Sequence, residues 1–307
     1  MIATPFRFSP QGASRRRHPI APAPWGLFAV FAVSLLALAG CESARQPVPR
    51  NPIARDHVRN EGRALVQRAC DAAGGIDRWH AVKDVSFVLD DQWHGVAGRL
   101  VRPWSVDHVN GPFEGLLGLS YGRLRVADKE GPVTYGFGAG GPWAMRGTRP
   151  SSEASDLATA RATVPVFLFQ FATPFAFLSD DAVQHSMGIH PDPPGGPVYE
   201  VLVTYPWYTG DRSRDWYVAR FDTSTMRLRS ITYTTSVWGP SMIEYTDELS
   251  GYQEIDSIWV PTRHDVRMSY PFRPDMHHWT VSNLKFNAGL EDTTFRGPGH
   301  LGSGGGT

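Results

Sequence analysis

Three clusters in this chain have residue types and spacings that could do chemistry. Gly118-Leu119-Ser120-Tyr121-Gly122 matches GxSxG, the pattern that lifts a nucleophilic serine onto a strand-to-helix turn in α/β-hydrolases. His264-Asp265 and His277-His278 could bring imidazole and carboxylate within metal-coordination reach if their segments are neighbouring strands. Tyr205-Pro206-Trp207-Tyr208 followed by Asp211 to Tyr217 mixes aromatics, acids and arginines, a composition able to read a polar headgroup or a sugar by stacking and charged hydrogen bonds. The two thiols are Cys41, which closes an apolar run, and Cys70, which has no partner left if Cys41 is modified.

The elements expected around these residues argue against catalysis. Arg123 onward reads as strand, and no alternation of strands and helices surrounds Ser120, so the elbow geometry is missing. Adjacent strand residues face opposite sides, which keeps His277 and His278 out of one site; there is no HExxH and no cysteine pair. The expectation is a non-enzyme with no metal and no cofactor. Asp90-Asp91 and Asp107-His108 read as ordinary polar pairs, and Cys70 as a small buried hydrophobe.

Composition narrows the class. The 307 residues balance 30 Lys+Arg against 30 Asp+Glu, with 41% hydrophobic residues, which excludes disorder. Residues 1–41 carry four arginines (Arg7, Arg15, Arg16, Arg17) and no acid, so the rest of the chain stands at −4. With only Lys83, Lys129 and Lys285 as lysines it offers no basic stripe for phosphates, and nucleic acid is not an expected partner. The basic cluster Arg15 to Arg17, the apolar run Trp25 to Ala39 and the small residues before Cys41 form an export signal, with the run too short to span a bilayer. Leu38-Ala39-Gly40-Cys41 resembles a bacterial lipobox. That resemblance implies cleavage before Cys41, its acylation, and a protein tethered to the membrane. Glu42-Ser43 after it, without an aspartate in second place, implies the outer membrane facing the periplasm.

The expected organisation is a signal peptide over 1–40, a lipidated Cys41 and Pro-bearing tether to 56, one domain over 57–296, and a disordered Gly-rich tail over 297–307. An amphipathic helix with Val58, Leu65, Ala69, Ala72 and Ala73 on one side stops at Gly74-Gly75. Strands follow at Val85 to Trp93, Arg99–Val109, Leu124–Val126, Val133–Phe137 and Pro142–Met145. From Asp156 to Gly188 a dense apolar stretch broken by Pro165 and Pro174 predicts two or three short helices. Strands resume at Tyr199–Tyr205, Asp215–Phe221, Met226–Val237, Ser241–Leu249, Ile258–Tyr270 and His277–Phe286, with Asp222 to Thr225 as a hairpin turn.

The order of these features resembles the LolA/LolB-like lipoprotein-carrier superfamily, and within it LolA-like bacterial lipoproteins. The features are the lipobox, the helix ending Gly74-Gly75, Trp79-x-x-Val82, the Phe171-Ala172-Thr173-Pro174-Phe175 segment and the Gly210 to Asp215 step. They continue with Phe221-Asp222-x-x-Thr225-x-x-Leu228, Gly251, Trp259-Val260-Pro261 and Phe295. The resemblance implies an α+β fold: a single strongly curved antiparallel sheet, an incomplete barrel, with an N-terminal helix and a short helical insert over its concave face. It further implies a hydrophobic pocket lined by Phe87, Leu89 and Trp93 from the sheet and by Phe167, Phe169, Phe171, Phe175, Phe177 and Leu178 from the insert. The pocket would take an acyl chain, a lipid or a lipoprotein; the alternatives are a structural lipoprotein whose own helices plug the pocket and, third, a periplasmic hydrolase. A tethered chain suits local binding better than shuttling.

Overall fold

The computed structural model describes residues 52–128, 131–191, 195–205, 216–234, 243–270 and 273–298. The signal, Cys41, residues 206–215 of the aromatic–arginine segment and the end of the Gly-rich tail lie outside them.

The described residues open with α1 (Pro52–Ala72), a short α2 (Ile76–Ala81) and β1 (Asp84–Trp93). Helix α1 crosses β7 (Val183–His190) at Gly62, where a Cβ would stand 2.7 Å from the Ser186 amide nitrogen. The glycine that weakens the helix by propensity is what lets it lie flat on the strand. Cys70 is buried in the same helix, and burial pushes its thiol pKa up, so it stays a neutral packing residue.

After Trp93 the chain departs from the expected strand over 99–109. Gly95 at φ +68° breaks the extended run, and α3 (Gly95–Val101) forms instead. Gly98 seats that helix against β15 (Asp275–Phe286), since a Cβ there would meet the Met276 carbonyl at 2.4 Å. Arg99 and Arg102 both pair with Asp107, and the strand restarts only at β2 (His108–Leu116). Its Pro112, Gly111 and Gly115 hide a period-two pattern of buried positions. β3 (Tyr121–Asp128), β4 (Gly131–Gly138), β5 (Gly141–Arg146) and the short β6 (Arg149–Pro150) follow as a meander.

The apolar insert is one helix, α4 (Ala154–Ala172), with Pro165 inside it, and a 3-10 turn at Phe175–Leu178. The expected break at Pro165 does not occur. The missing Pro165 N–H costs one bond to the Arg161 carbonyl, but Pro165 is buried in a helix that packs against β3, β4 and β5, and burial outweighs the loss. The second half of the chain adds β8 (Val198–Thr204), β9 (Tyr217–Asp222), β10 (Leu228–Thr234), β11 (Glu244–Ser250), β12 (Gln253–Ile255), β13 (Ile258–Val260) and β14 (Arg263–Tyr270). The single strand expected over 258–270 is split at Pro261, which has no N–H for a ladder.

Among the described residues thirteen strands form one antiparallel sheet in the order β6-β5-β4-β3-β2-β1-β15-β14-β11-β10-β9-β8-β7. β6 and β7 are its two edges, so among the described residues the sheet is not closed into a barrel, and the fold is α+β. Along β1 the residues Val85, Phe87, Leu89, Asp91 and Trp93 are all buried on one face. β15 joins the two halves of the sheet: it pairs with β1 on one side and β14 on the other. Past Phe286 the chain is caught by Asp84, whose carboxylate accepts from the backbone N–H groups of Ala288, Gly289 and Leu290 at 2.7, 3.1 and 3.2 Å. Phe295 is fully buried, and its carbonyl accepts from Trp143 Nε1 at 2.9 Å. Gly297 is buried against the Trp143 ring, so packing runs past residue 296.

The turn joining β9 to β10 is held by one carboxylate. Asp222 Oδ1 accepts from the N–H groups of Ser224 (3.0 Å) and Thr225 (2.8 Å) and from both their hydroxyls (2.6 and 3.1 Å). The Ser224 hydroxyl first, and then these backbone donors, pull its pKa down to about 2. A carboxylate depressed in the folded state stabilises fully above its unfolded value near 4 and loses that contribution as pH falls through 2. Asp222→Asn is therefore expected to cost about 1–2 kcal/mol at neutral pH. Urea unfolding at stepped pH should show the gap between the two proteins closing between pH 4 and pH 2.

Candidate functional site

Helix α4 is the element around which the expected pocket residues gather. From Ala162 to Ala172 every residue is buried except Val166 and Phe169, which are half-buried, so this half of the helix has no solvent face. Two glycines make room for it: a Cβ on Gly115 would stand 2.5 Å from Leu168 Cδ2, and one on Gly122 would stand 2.9 Å from Val164 Cγ1. The second glycine of the GxSxG match is thus a notch for a helix. Ser120 itself sits at φ +54° in the turn between β2 and β3, a strand-to-strand connection that lacks the nucleophile elbow.

The N-terminal end of α4 is clamped by charge. Arg146 on β5 donates to both oxygens of Asp156 at 2.8 Å and to Asp128 at 3.1 Å, and Ser151 adds a hydroxyl to Asp156 at 2.6 Å. Asp156 is buried in the first turn of the helix, where a negative charge also meets the positive end of the helix dipole. Hydrogen bonding to Asp156 raises the Arg146 pKa further, so the guanidinium stays charged.

Most of the expected lining residues come together as a packed aromatic array. Phe87 stacks on Phe113 (4.7 Å) and on Phe171 (5.4 Å). Phe167 meets Phe113 and Trp279 edge-on at 6.1 and 5.4 Å. Phe175 stacks on Trp79 at 4.7 Å, joining the 3-10 turn to α2. Phe169 packs with Phe177 and Tyr217 at 6.0 and 5.0 Å. Leu89 is buried between Gly111 and Val281, and Leu178 is half-buried at the rim. Trp93 does not join the array: it stacks on His277 at 3.9 Å and donates its Nε1–H to Asp91 at 2.7 Å.

That polar contact belongs to a set of residues that reading by motif did not find. Asp91, buried, holds Trp93, Trp104 (3.0 Å) and His277 Nδ1 (2.7 Å). A second buried pair, His264 Nδ1 and Asp247 Oδ2 at 2.7 Å, lies beside it, with the His264 ring stacked on Trp279 at 3.5 Å. His264 therefore pairs with Asp247, not with Asp265, which faces the other way and pairs with Arg263. His277 points to the core face and His278 to the opposite one, next to His94. Among the described residues no three of His, Cys, Asp and Glu come close enough to hold a metal. The available signal was phase: Asp91 alternates in register with Phe87 and Leu89, and Asp247 with Tyr245 and Leu249, which places each acid on a buried face.

A separate surface cavity of about 330 Å³ lies on the other side of the sheet, lined by Pro112, Glu114, Arg123, Arg125 and Thr134. Glu114 and Arg123 pair across it at 2.5 Å. No described helix is long and apolar enough to cross a membrane.

No family model matches the chain, and no curated protein sequence matches it. Among solved structures it is similar to a DUF1329 family protein from Desulfovibrio piger, with 14% identity, TM-score 0.46, and coverage of 78% of this chain and 97% of that one. It is similar to a LolA superfamily protein from Nitrosomonas europaea as well. There the identity is 12% and the TM-score 0.46, over 76% and 97% of the two chains. A putative outer membrane lipoprotein-sorting protein domain from Vibrio parahaemolyticus stands alongside, at 9% identity and TM-score 0.46 over 77% and 97%. At these identities and scores the likenesses carry nothing about ligand or activity.

Two substitutions separate clamp from array. Arg146→Ala leaves Asp156 buried without its partner and is expected to cost about 3–5 kcal/mol. Phe171→Ala removes a ring stacked on Phe87 and is expected to cost about 3–5 kcal/mol if the array stays dry. Chemical denaturation of the single and double variants should show additive losses, since the two sites share no contact.

Proposed function

We propose that this chain is a non-enzymatic envelope lipoprotein, tethered through Cys41 and facing the periplasm from the outer membrane, whose sheet curls around α4 and takes an apolar chain in the helix's place. The observation that carries the reading is how many strands one short piece of α4 touches. Between Val164 and Phe171 its side chains meet β3 at Gly122, β2 at Phe113, β1 at Phe87, β15 at Trp279, β10 at Tyr233 and β9 at Tyr217. Flat, β3 and β9 would stand about 34 Å apart at about 4.8 Å per strand. A helix about 10–12 Å across can touch both only if the sheet bends around it into a trough.

Beyond its Arg146 clamp, the Thr159 hydroxyl's bond to the Pro103 carbonyl and the Gln170–Tyr233 hydrogen bond, the helix is held in its aromatic trough by apolar contacts of the kind an acyl chain also makes. Each methylene transferred from water into that space contributes about 0.8 kcal/mol, so a long chain competes with the helix for the same surface. Half-buried Val166, Phe169, Leu178 and Tyr217 supply an apolar rim for entry. The second reading, a structural lipoprotein whose trough is permanently filled by α4, is favoured by the close stacking of Phe87, Phe113 and Phe171.

Mass spectrometry of a solvent extract of the purified protein decides between them. Near one non-covalent acyl lipid per chain, apart from any lipid retained covalently at Cys41, is the expected result. No extractable lipid, together with no binding of a fluorescent fatty acid, would leave only the filled trough.

A further inference from the structure

Three buried polar atoms on the core face have no hydrogen-bond partner among the described residues, and strand alternation and His264 link the residues that carry them: Tyr245 Oη, Asp247 Oδ1 and Trp279 Nε1. Their residues are 4%, 0% and 1% exposed, so bulk water does not serve them. Tyr245 and Asp247 alternate on the same face of β11, and Trp279 reaches them through His264, stacked on its ring and bonded to Asp247 Oδ2. Helix α4 roofs this corner with two residues one turn apart: Phe167 lies edge-on to Trp279, and Gln170 hydrogen-bonds Tyr233, whose ring stands 5.9 Å from that of Tyr245. Buried polar groups left unpaired are costly, so a cluster of them under a displaceable roof marks a place for a polar group.

We infer that this corner seats the polar head of the bound amphiphile, and that the head is uncharged and both gives and accepts hydrogen bonds: a hydroxyl or an amide. This rests on the acyl-binding reading above and names the lipid class. Asp247 Oδ1 requires a donor, and Trp279 Nε1–H requires an acceptor. A fatty-acid carboxylate meets the second need and fails the first, placing a second negative charge against Asp247. An alkylammonium meets the first and fails the second, having no lone pair. A hydroxyl or amide meets both, with the Tyr245 hydroxyl free to turn either way; burial raises the Tyr245 pKa, keeping its proton in place. The chain attached to such a head would take the place of Phe167 against Trp279 and Phe113, and of Phe171 against Phe87, along the sheet face of the trough.

The test is competition on the intact protein among three probes with the same eighteen-carbon chain, about 18 carbons being ample for burial: monooleoylglycerol, oleate and oleylamine, each below its aggregation concentration. Monooleoylglycerol is expected to bind at least about ten-fold more tightly than either charged probe. In Tyr245→Phe and Trp279→Phe, which keep ring volume or stacking and whose melting curves check the fold, that preference, read as the ratio of monooleoylglycerol to oleate affinity within each variant, should fall to about two-fold or less. Equal binding of all three probes, or a preference that survives both substitutions, overturns the polar-head assignment and leaves the acyl-binding reading standing. Failure of all three to bind overturns both.

Discussion

The constraint on which the rest of this structure depends is the burial of a helix that has no polar side along half its length. A helix of this kind cannot rest on a sheet with its back to water. Apolar surface must reach it from several directions, and strands from both halves of the sheet supply it: β1, β2 and β3 from one half, β9, β10 and β15 from the other. Gly115 and Gly122 lower the sheet surface just where Leu168 and Val164 descend. The antiparallel meander, the long β15 that couples the two halves and the Asp84 knot that ends it all follow as ways of bringing those strands to one helix.

Polar side chains inside this core are handled in two ways. Asp156, Asp91 and Asp84 are each saturated: by an arginine and a serine, by two indoles and an imidazole, and by three backbone amides. A saturated buried carboxylate fixes geometry, and these three pin the start of α4, the middle of the covered face and the chain end. Asp247 differs, with one oxygen bonded to His264 and the other without a described partner. The contrast within a single core sets the Asp247 corner apart from the structural carboxylates.

Local pattern carried far in this chain. The period-two alternation of Val85, Phe87 and Leu89 located β1, Gly74-Gly75 closed the helix run, and Asp222 to Thr225 announced the β9–β10 hairpin. It failed where a local rule was outvoted. Pro165 signals a helix break, yet packing on three strands carries α4 through it. Gly111, Pro112 and Gly115 signal a loop, yet β2 runs through them: at Gly111 the close approach of Arg125 on β3, and at Gly115 that of Leu168 on α4, need a residue without a side chain. The strand expected over 99–109 gave way to α3, since Gly95 and the close contact at Gly98 turn the chain before β2 begins.

By itself the sequence determined that this is a strand-rich chain with one helix at its start and one dense apolar insert, with no nucleophile elbow around Ser120. Those features depend on neighbours within a few residues, and the periodicity of side chains records them directly. Only the tertiary structure decided which imidazole meets which carboxylate. His264 lies next to Asp265 in the chain, but strand alternation sends them to opposite faces and β11 delivers Asp247, seventeen positions away, to within 2.7 Å. Strand order and register are properties of pairings between distant segments, and no local pattern contains them.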